Sequence, residues 1–428
     1  MIKAVLFDLP AAQSVRYVPD GLLVIEAGQV KAFGSYGALQ HQYADVPMTH
    51  YLDRLIVPGF VDTHIHFPQT EMIAAFGTQL LDWLERYTFP TEAKFKDPDY
   101  AQRITAFFLD ELLKNGTTTA LVYGTVHPES VEAFFAEAER RQLRMIAGKV
   151  MMDRHAPDYL CDTPESSYAE SKRLIERWHG RGRLHYAVTP RFAVTSSAEQ
   201  LRLAGQLLAE FPDVYLQTHI SENLHEVAWV GSLFPEAQDY LDVYDRAGLV
   251  GDRSVFAHGI HLSDREWARL HAAKSAIAFC PTSNLFLGSG LFQLKQACDR
   301  AIKVGLGTDV GGGTSFSLLQ TAAEGYKVCQ LQQHTLSAFQ ALFLATLGGA
   351  RALSLDAQIG SFDVGKEADF TVLHPRATPL LALRNPQGTP ESLEALADRL
   401  FSTIMLGCDR VVWATHILGE SVYQQVSI

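Results

Sequence analysis

The stretch PGFVDTHIHFPQ, Pro58 to Gln69, places two histidines one residue apart at the end of an apolar run. Side chains of an extended strand alternate between its two faces, so His64 and His66 are predicted to point the same way, with Asp62 on that side. Two imidazoles on one face of a buried strand indicate either half of a metal site or chance packing. The rest of the sequence has to decide between these two interpretations.

Strand-like apolar runs alternate with helical patterns outward from this stretch. We predict eight strands, at Gly59–His66, Thr118–Tyr123, Arg144–Val150, Leu184–Thr189, Val214–His219, Ser254–His258, Ala276–Cys280 and Lys303–Thr308. Segments between them, such as ESVEAFFAEAERRQ and SAEQLRLAGQLLAEF, repeat apolar residues every three or four positions. Eight strands alternating with helices predict an α/β fold, a TIM-like (β/α)8 barrel. An open doubly wound sheet is the alternative, because strand counting separates the two poorly.

The two ends of the chain lack this alternation. Residues 1–57 contain short strand-like runs with turn residues between them, and IGSFDVGKEADFTVL and RVVWATHILGESVY near the C-terminus are similar. We therefore predict one small β domain built from both termini. Its N-terminal part is residues 1–57, the barrel is residues 58–365, and its C-terminal part is residues 366–428.

Composition excludes several classes of protein. The 428 residues are 47% hydrophobic and 20% charged, as in an ordinary globular protein. The net charge of -12 would repel phosphate backbones, so we expect no nucleic-acid partner. Five scattered cysteines without a CxxC pair argue against a disulfide framework and a cysteine zinc site. We see no signal peptide and no apolar stretch of the ~18 residues that span a bilayer, so we expect a cytoplasmic protein without a membrane partner.

Polar residues follow several of the predicted strands. The chemistry of a (β/α)8 barrel lies where its strands end, at the C-terminal face. The polar residues at these ends are His64 and His66 (first strand), Arg191 (fourth), His219 and Glu222 (fifth), His258 (sixth) and Asp309 (eighth). The two histidines of the first strand fit packing as well as they fit metal binding. The recurrence of polar residues at the corresponding ends of the other strands predicts that they converge on one site.

The donor types indicate a metal. Three imidazoles and a carboxylate suit a borderline divalent ion such as Zn²⁺, with one position left for water. Fe²⁺ is the alternative, whereas Mg²⁺ prefers oxygen ligands alone. Lys149, near the end of the third strand, would suit a carbamate bridging two metals. The fourth strand ends without a lysine, so we predict one metal per chain.

Each remaining polar residue has two interpretations. Glu222 is either a solvated loop charge or a proton shuttle beside a metal-activated water. His258 would either bind the metal or hydrogen-bond the attacking water. Arg191 is either a surface charge or a fork that recognises a carbonyl or another planar acceptor. The glycines after Asp309 do not match a phosphate-binding loop, and we expect them to let the backbone turn close to the site.

The ordered motifs PGFVDTHIHFPQ, TPRFAVTS, QTHISE, FAHG and LGTDVGGG resemble the amidohydrolase superfamily. The motifs HFPQ, WLERYTFPTE, TPRF and HISEN narrow the resemblance to the guanine deaminase family. It extends through the barrel and into both terminal segments. The resemblance implies hydrolytic deamination of guanine to xanthine and ammonia, with Zn²⁺ as the cofactor and a homodimer as the assembly.

The resemblance also implies a role for each site residue. The metal ligands would be His64, His66, His219 and Asp309. The catalytic residues would be Glu222 as proton shuttle, Asp309 as an aid in activating the water, and His258, which would orient or polarise it. The substrate contacts would be His66, Phe67, Pro68, Gln69, Arg191, Phe192, His219, Glu222 and Asp309. The segment WLERYTFPTE, with Trp83, Tyr87 and Phe89, would either cover the base or pack on the barrel as an amphipathic helix.

Two other functions stay open from the sequence. A related deaminase would keep the metal and act on another purine, a pyrimidine or a triazine. A non-catalytic barrel scaffold would bind partners through its surface, although such proteins usually lose ligands and here every expected ligand is present. Product assays and metal analysis distinguish these alternatives.

Overall fold

The structure is a computed structural model that describes residues 1–11, 14–76 and 80–425. Residues 426–428, the last of the predicted C-terminal segment, lie outside the described residues. The strands in chain order are β1 (Ile2–Ala11), β2 (Ser14–Glu26), β3 (Gln29–Ser35), β4 (Thr49–Pro58), β5 (Phe60–His66), β6 (Thr117–Tyr123), β7 (Arg144–Gly148), β8 (Val150–Met151), β9 (His185–Pro190), β10 (Tyr215–Ile220), β11 (Ser254–His258), β12 (Ala276–Phe279), β13 (Lys303–Leu306), β14 (Phe370–Leu373), β15 (Val412–Ile417) and β16 (Glu420–Gln424).

The helices follow the same order. They are α1 (Tyr36–Leu39), α2 (Leu80–Trp83), α3 (Phe89–Glu92), α4 (Pro98–Lys114), α5 (Pro128–Arg140), α6 (Pro164–Trp178), α7 (Ala198–Glu210), α8 (Leu224–Leu233), α9 (Tyr240–Arg246), α10 (Asp264–Ala273), α11 (Pro281–Phe286), α12 (Leu294–Asp299), α13 (Leu318–Leu331), α14 (Ala338–Ala345), α15 (Leu347–Ala352), α16 (Pro379–Arg384) and α17 (Leu393–Leu406). Side-chain caps begin several of them. Ser197, for example, accepts a hydrogen bond from Gln200 N at the start of α7, as serine caps commonly do.

Eight parallel strands form the barrel. They lie side by side in the order β5, β6, β7, β9, β10, β11, β12 and β13, and β8 pairs with β9. The loop after β13 meets β5 again: Asp309 N donates to His64 O (2.9 Å) and His66 N donates to Val310 O (2.9 Å). These bonds nearly close the sheet, so the predicted TIM-like barrel is confirmed and the open sheet is excluded.

The predicted strands match the observed ones to within two residues at each end. The sixth, Ser254–His258, is identical to β11. The third is interrupted at Lys149, between β7 and β8. These strands could be predicted from continuous apolar runs because the strand side chains are buried on both faces of the sheet. In β6, for example, every residue is buried.

Both ends of the chain contribute to a second sheet. Its order is β16, β15, β14, β4, β1, β2 and β3, with β1 and β4 parallel and the other neighbours antiparallel. One face covers a hydrophobic core that includes Leu6, Leu23, Ile56, Phe370 and Ala414. The predicted β domain built from both termini is therefore confirmed.

The described chain groups into two compact units. One comprises residues 1–61, 110–118 and 316–428, and the other comprises residues 62–109 and 119–315. The domain boundaries at residues 57 and 365 stay predictions. Among the described residues, no helix is both long enough and apolar enough to cross a bilayer.

Candidate metal centre and active site

Four of the predicted donors converge at the carboxyl ends of the barrel strands. His64 and His66 end β5, and their Nε2 atoms lie 3.2 Å apart. Asp309 Oδ1 lies 3.1 Å from His64 Nε2 and 3.4 Å from His66 Nε2. The ring of His219 is centred 4.8 Å from the ring of His64. The structure thus brings all four predicted metal ligands together at the strand ends.

These separations suit a small tetrahedral ion. Ligand atoms about 2.0–2.1 Å from such an ion stand about 3.3 Å from one another. The three measured separations, 3.1, 3.2 and 3.4 Å, agree with that value. The donor set, imidazole nitrogens and one carboxylate, is also one that Zn²⁺ accepts. The residues present therefore fit a divalent metal.

Two of the histidines are oriented by hydrogen bonds from their other ring nitrogen. His219 Nδ1 donates to the backbone oxygen of Arg191 at 2.7 Å, which leaves Nε2 free as a ligand. His258 Nδ1 donates to Asn284 Oδ1 at 2.8 Å. Its Nε2 has no hydrogen-bond partner among the described residues, and it lies 3.4 Å from Glu222 Oε2 and 3.8 Å from Asp309 Oδ2. His258 therefore stands between Glu222, the predicted proton shuttle, and Asp309, a predicted metal ligand.

Burial favours the neutral, metal-binding form of the His64, His66 and His219 imidazoles. Desolvation lowers the pKa of His66 to about 3 and lowers that of His64 and, further, that of His219. Burial alone would raise the pKa of Asp309, but its electrostatic interaction with His64 and its hydrogen bonds with His64 and His66 hold it well below its usual range. Neutral nitrogens around an ionised carboxylate make a site for a cation.

Glu222 lies beside this cluster and is 2% exposed. Burial and the negative charge of Asp309 raise its pKa to about 8, against a hydrogen bond that Ser289 Oγ donates to its Oε1 at 3.0 Å. The backbone N–H of Glu222 donates to Glu226 Oε2 at 3.0 Å, which fixes the loop. A buried carboxyl group with a pKa near neutrality can both accept and release a proton.

The backbone turns sharply at the site. His258 and Asp309 have φ values of 70° and 52°, in the left-handed region that few non-glycine residues adopt. A Cβ atom at Gly313 would lie 1.7 Å from Thr308 O, and one at Gly311 would lie 2.9 Å from Gln69 O. Glycine is therefore required for the close approach of this loop, as the sequence predicted.

A cavity of about 420 Å³ opens beside the cluster. Its lining includes the predicted residues His66, Gln69, Arg191, Phe192, His219, Glu222, His258 and Asp309. Trp83, from the predicted cover segment, also lines it, together with Leu80 and Leu84. Seven of the nine residues predicted to contact a substrate therefore line this cavity, among them three of the four predicted metal ligands.

The wall formed by Gln69 and Arg191 is held by a residue that the sequence analysis did not single out. Arg191 Nη1 donates to Glu92 Oε2 at 2.7 Å, and Gln69 Nε2 donates to Glu92 Oε1 at 3.2 Å. Glu92 is fully buried. The ring of Phe89 lies 5.8 Å from the guanidinium carbon of Arg191. Arg191 is thus a buried, fixed donor and not a surface charge.

Not every predicted substrate contact reaches the cavity. Phe67 is fully buried and packs against Phe95 and Phe134, with ring centres 5.2 and 5.3 Å away. Pro68 is buried as well, and neither residue belongs to the cavity lining. Tyr87 is half-buried and also lies outside the lining. Phe67 supports the end of β5 through packing.

Lys149 and Cys280 complete the account of candidate ligands. Lys149 Nζ is fully buried and pairs with Asp162 (2.5 Å) and Glu170 (3.3 Å). Its charge is therefore already matched away from the metal cluster. Cys280 lies within reach of a metal shared with His64 and Asp309, but its Sγ donates to Ala278 O at 3.5 Å, and burial raises the pKa of the thiol well above its usual value. The thiol of Cys280 therefore has a backbone acceptor of its own.

Three further residues escaped the sequence analysis. Glu92, Asn284 and Tyr123 each support the site from positions outside the strand-end pattern. The ring of Tyr123 stacks on His66 with centres 4.3 Å apart. Tyr123 ends β6, so the rule that directed attention to strand ends would have found it. Glu92 ends the quoted segment WLERYTFPTE, but nothing local assigns it a role, and nothing local marks Asn284, because the partners of both residues are distant in sequence.

A barrel with this cluster at its strand ends defines a metal-dependent hydrolase of the amidohydrolase type. A sequence model of the amidohydrolase family matches residues 55–420, and the chain belongs to that family.

Within this family, the chain is similar to several guanine deaminases. Guanine deaminase of Escherichia coli K12 is 56% identical over 97% of this chain and 93% of its own length. The solved E. coli guanine deaminase superposes with a TM-score of 0.95, 53% identity and 99% coverage of both chains. A guanine deaminase of C. acetobutylicum, solved with guanine bound in its active site, has a TM-score of 0.91, 29% identity and 99% coverage of both chains.

Proposed function

We propose that this protein catalyses the hydrolytic deamination of guanine, in which guanine and water give xanthine and ammonia, with one Zn²⁺ per chain. One observation carries the proposal. A metal-binding cluster and a buried acid–base carboxyl, Glu222, share a cavity with the fixed donors Arg191 and Gln69. The high identity to guanine deaminases supports the choice of substrate.

His64, His66, His219 and Asp309 would hold the metal. A divalent ion there supplies Lewis acidity, which brings the pKa of water to about 7 and so makes a nucleophile available at neutral pH. Zn²⁺ is proposed because the donor separations match its tetrahedral preference. Fe²⁺ is the alternative that metal analysis would reveal.

Proton transfer falls to Glu222. Its carboxylate would take a proton from the attacking water, and its acid form would deliver that proton to the departing amine nitrogen. The pKa of about 8 suits both directions of transfer near neutrality. His258, fixed by Asn284, would orient the water through its unpartnered Nε2. Asp309 would assist as a second acceptor.

Substrate orientation falls to the opposite wall. Arg191 would donate to the ring carbonyl of guanine, and Gln69 would hydrogen-bond a neighbouring edge of the purine. Trp83 and Phe192 would flank the planar ring, since both line the cavity. His66, His219, Glu222 and Asp309 would meet the reacting carbon, and Phe67 and Pro68 would act by supporting the strand end from the core.

The decisive experiment is a product assay on guanine, adenine, 8-oxoguanine and cytosine, with metal quantified in the same preparation. Guanine should be the preferred substrate, xanthine and ammonia should appear in equal amounts, and the protein should contain about one zinc per chain. Preference for another base would establish a related deaminase. A metal-free protein inactive on all four bases would favour the scaffold.

We further propose a cytoplasmic homodimer. Five free cysteines, with no disulfide, support a reducing compartment. The dimer rests on the family resemblance. Light scattering on the protein as it elutes from a sizing column would test the dimer, and a monomer mass at micromolar concentration would contradict it.

We also propose that nucleic acid is not a partner, because a net charge of -12 gives this protein no electrostatic attraction to a phosphate backbone.

A further inference from the structure

Glu92 contacts both side chains that are proposed to recognise the substrate, yet it does not line the cavity. Its two carboxylate oxygens are divided between them, Oε1 accepting from Gln69 Nε2 and Oε2 from Arg191 Nη1. Glu92 ends α3, and its side chain is only 1% exposed. Any effect it has on a bound purine must therefore pass through Gln69 and Arg191.

The orientation of the Gln69 amide follows from its partners. A carboxylate only accepts hydrogen bonds, so the amide nitrogen must face Glu92. The backbone N–H of Gly311 only donates, and it meets Gln69 Oε1 at 3.1 Å. The amide cannot flip without breaking both bonds. One amide hydrogen remains for a ligand, beside the unused N–H groups of Arg191.

Glu92 also sets the charge of this wall. Arg191 is 2% exposed, and among the described residues Glu92 is the carboxylate that pairs with it. The pair is neutral as a unit, so the wall offers N–H donors without net charge. A buried cation that lost its partner would attract an anion strongly, because water screens it little.

We propose that Glu92 is the specificity-determining positioning residue of this site. It holds Gln69 and Arg191 as donors and cancels the charge of Arg191, so that the cavity selects neutral oxopurines over anionic ones. This inference rests on the proposed deamination of guanine for its biological meaning, but ligand binding alone can test it.

The test compares two oxopurines of different charge, neutral hypoxanthine and the larger urate monoanion, and the change of their affinity ratio between variants isolates the effect of charge. Their dissociation constants are measured by calorimetry on the metal-loaded protein, and KM and kcat for guanine are measured in parallel. Wild-type protein should bind hypoxanthine at least about tenfold more tightly than urate. Equal or tighter binding of urate by wild type would overturn the proposal, even if no variant folds.

Glu92→Gln should reverse this preference. The ratio of the urate to the hypoxanthine dissociation constant should fall by about tenfold or more, because Arg191 is left uncompensated. KM for guanine should rise by about tenfold, with a smaller change in kcat, because Glu92 does not touch the reacting atoms. An unchanged ratio in a folded, metal-loaded Glu92→Gln protein would contradict the proposal.

Three further variants separate positioning from general damage. Glu92→Asp keeps the charge and should keep the preference for hypoxanthine. Glu92→Gln with Arg191→Gln removes both charges, so the gain in urate binding should disappear. Glu71→Gln alters a carboxylate that is 46% exposed and bonded to Lys94 and Tyr100, and it should behave as wild type. Failure to turn over guanine with the ligand preference intact would overturn the proposed function and leave the role of Glu92 standing.

Discussion

The metal-facing wall and the donor wall of the cavity are built in different ways. The metal-facing wall takes its donors from strand ends of the barrel, and two of its histidines are each fixed by one hydrogen bond. The donor wall depends on Glu92, which lies 99 residues from Arg191 and 23 from Gln69. The first wall repeats a local rule, whereas the second exists only when distant segments meet. We therefore expect changes at the first wall to affect the chemistry and changes at the second wall to affect selectivity.

Removing the metal should have the largest effect. Treatment with a chelator such as dipicolinate should abolish turnover of guanine, because the proposed metal would be what lowers the pKa of the attacking water to about 7. Added Zn²⁺ should restore it. Hypoxanthine should still raise the melting temperature of the metal-free protein, because the donor wall is intact. Full activity in protein that contains less than about a tenth of a metal ion per chain would contradict the assignment of the chemistry to the metal-facing wall.

Glu222→Gln should lower kcat by about 10²–10⁴, because the amide cannot carry the proton between water and the amine. The metal content should stay the same, since the four ligands are unchanged, and emission spectrometry would check it. Glu199→Gln, at an exposed ion pair with Arg202, is the matched control. Turnover within a factor of a few of wild type would remove Glu222 from the mechanism.

Arg191→Ala should raise KM for guanine by about 10–100-fold and lower kcat less, because the lost donor is the one proposed to recognise the ring carbonyl. The change also leaves Glu92 buried and unpaired, which should cost about 3–5 kcal/mol in the free energy of unfolding. Steady-state kinetics and urea denaturation measure the two effects. Arg202→Ala, at an exposed arginine, is the control. Unchanged guanine kinetics would place Arg191 outside the recognition site.

Asn284→Ala should have the smallest effect, a loss of about tenfold in kcat. The change removes the acceptor that fixes the His258 ring, and lost ring-orienting contacts of this kind typically cost 10–100-fold. Asn115→Ala, which deletes a buried amide bonded to Glu111 O, controls for the loss of a buried side chain. A change in KM with constant kcat would show that Asn284 serves the donor wall instead.

The sequence alone determined the barrel and its ring of donors. Burial of a parallel strand on both faces leaves a continuous apolar run, and the polar residue that ends the run marks the active edge of the sheet. His64, His219, His258 and Asp309 could be found one strand at a time for this reason. Strand boundaries shifted by one or two residues, because local pattern does not determine where pairing stops.

Only the tertiary structure decided which partners complete the site. Lys149 forms ion pairs with Asp162 and Glu170. Phe67 packs into an aromatic core, and Glu92 accepts hydrogen bonds from both Gln69 and Arg191. None of these contacts follows from a periodicity, because a hydrogen bond or an ion pair depends on the positions of residues far apart in the chain. Local sequence sets where a side chain starts, and the packed fold sets what it meets.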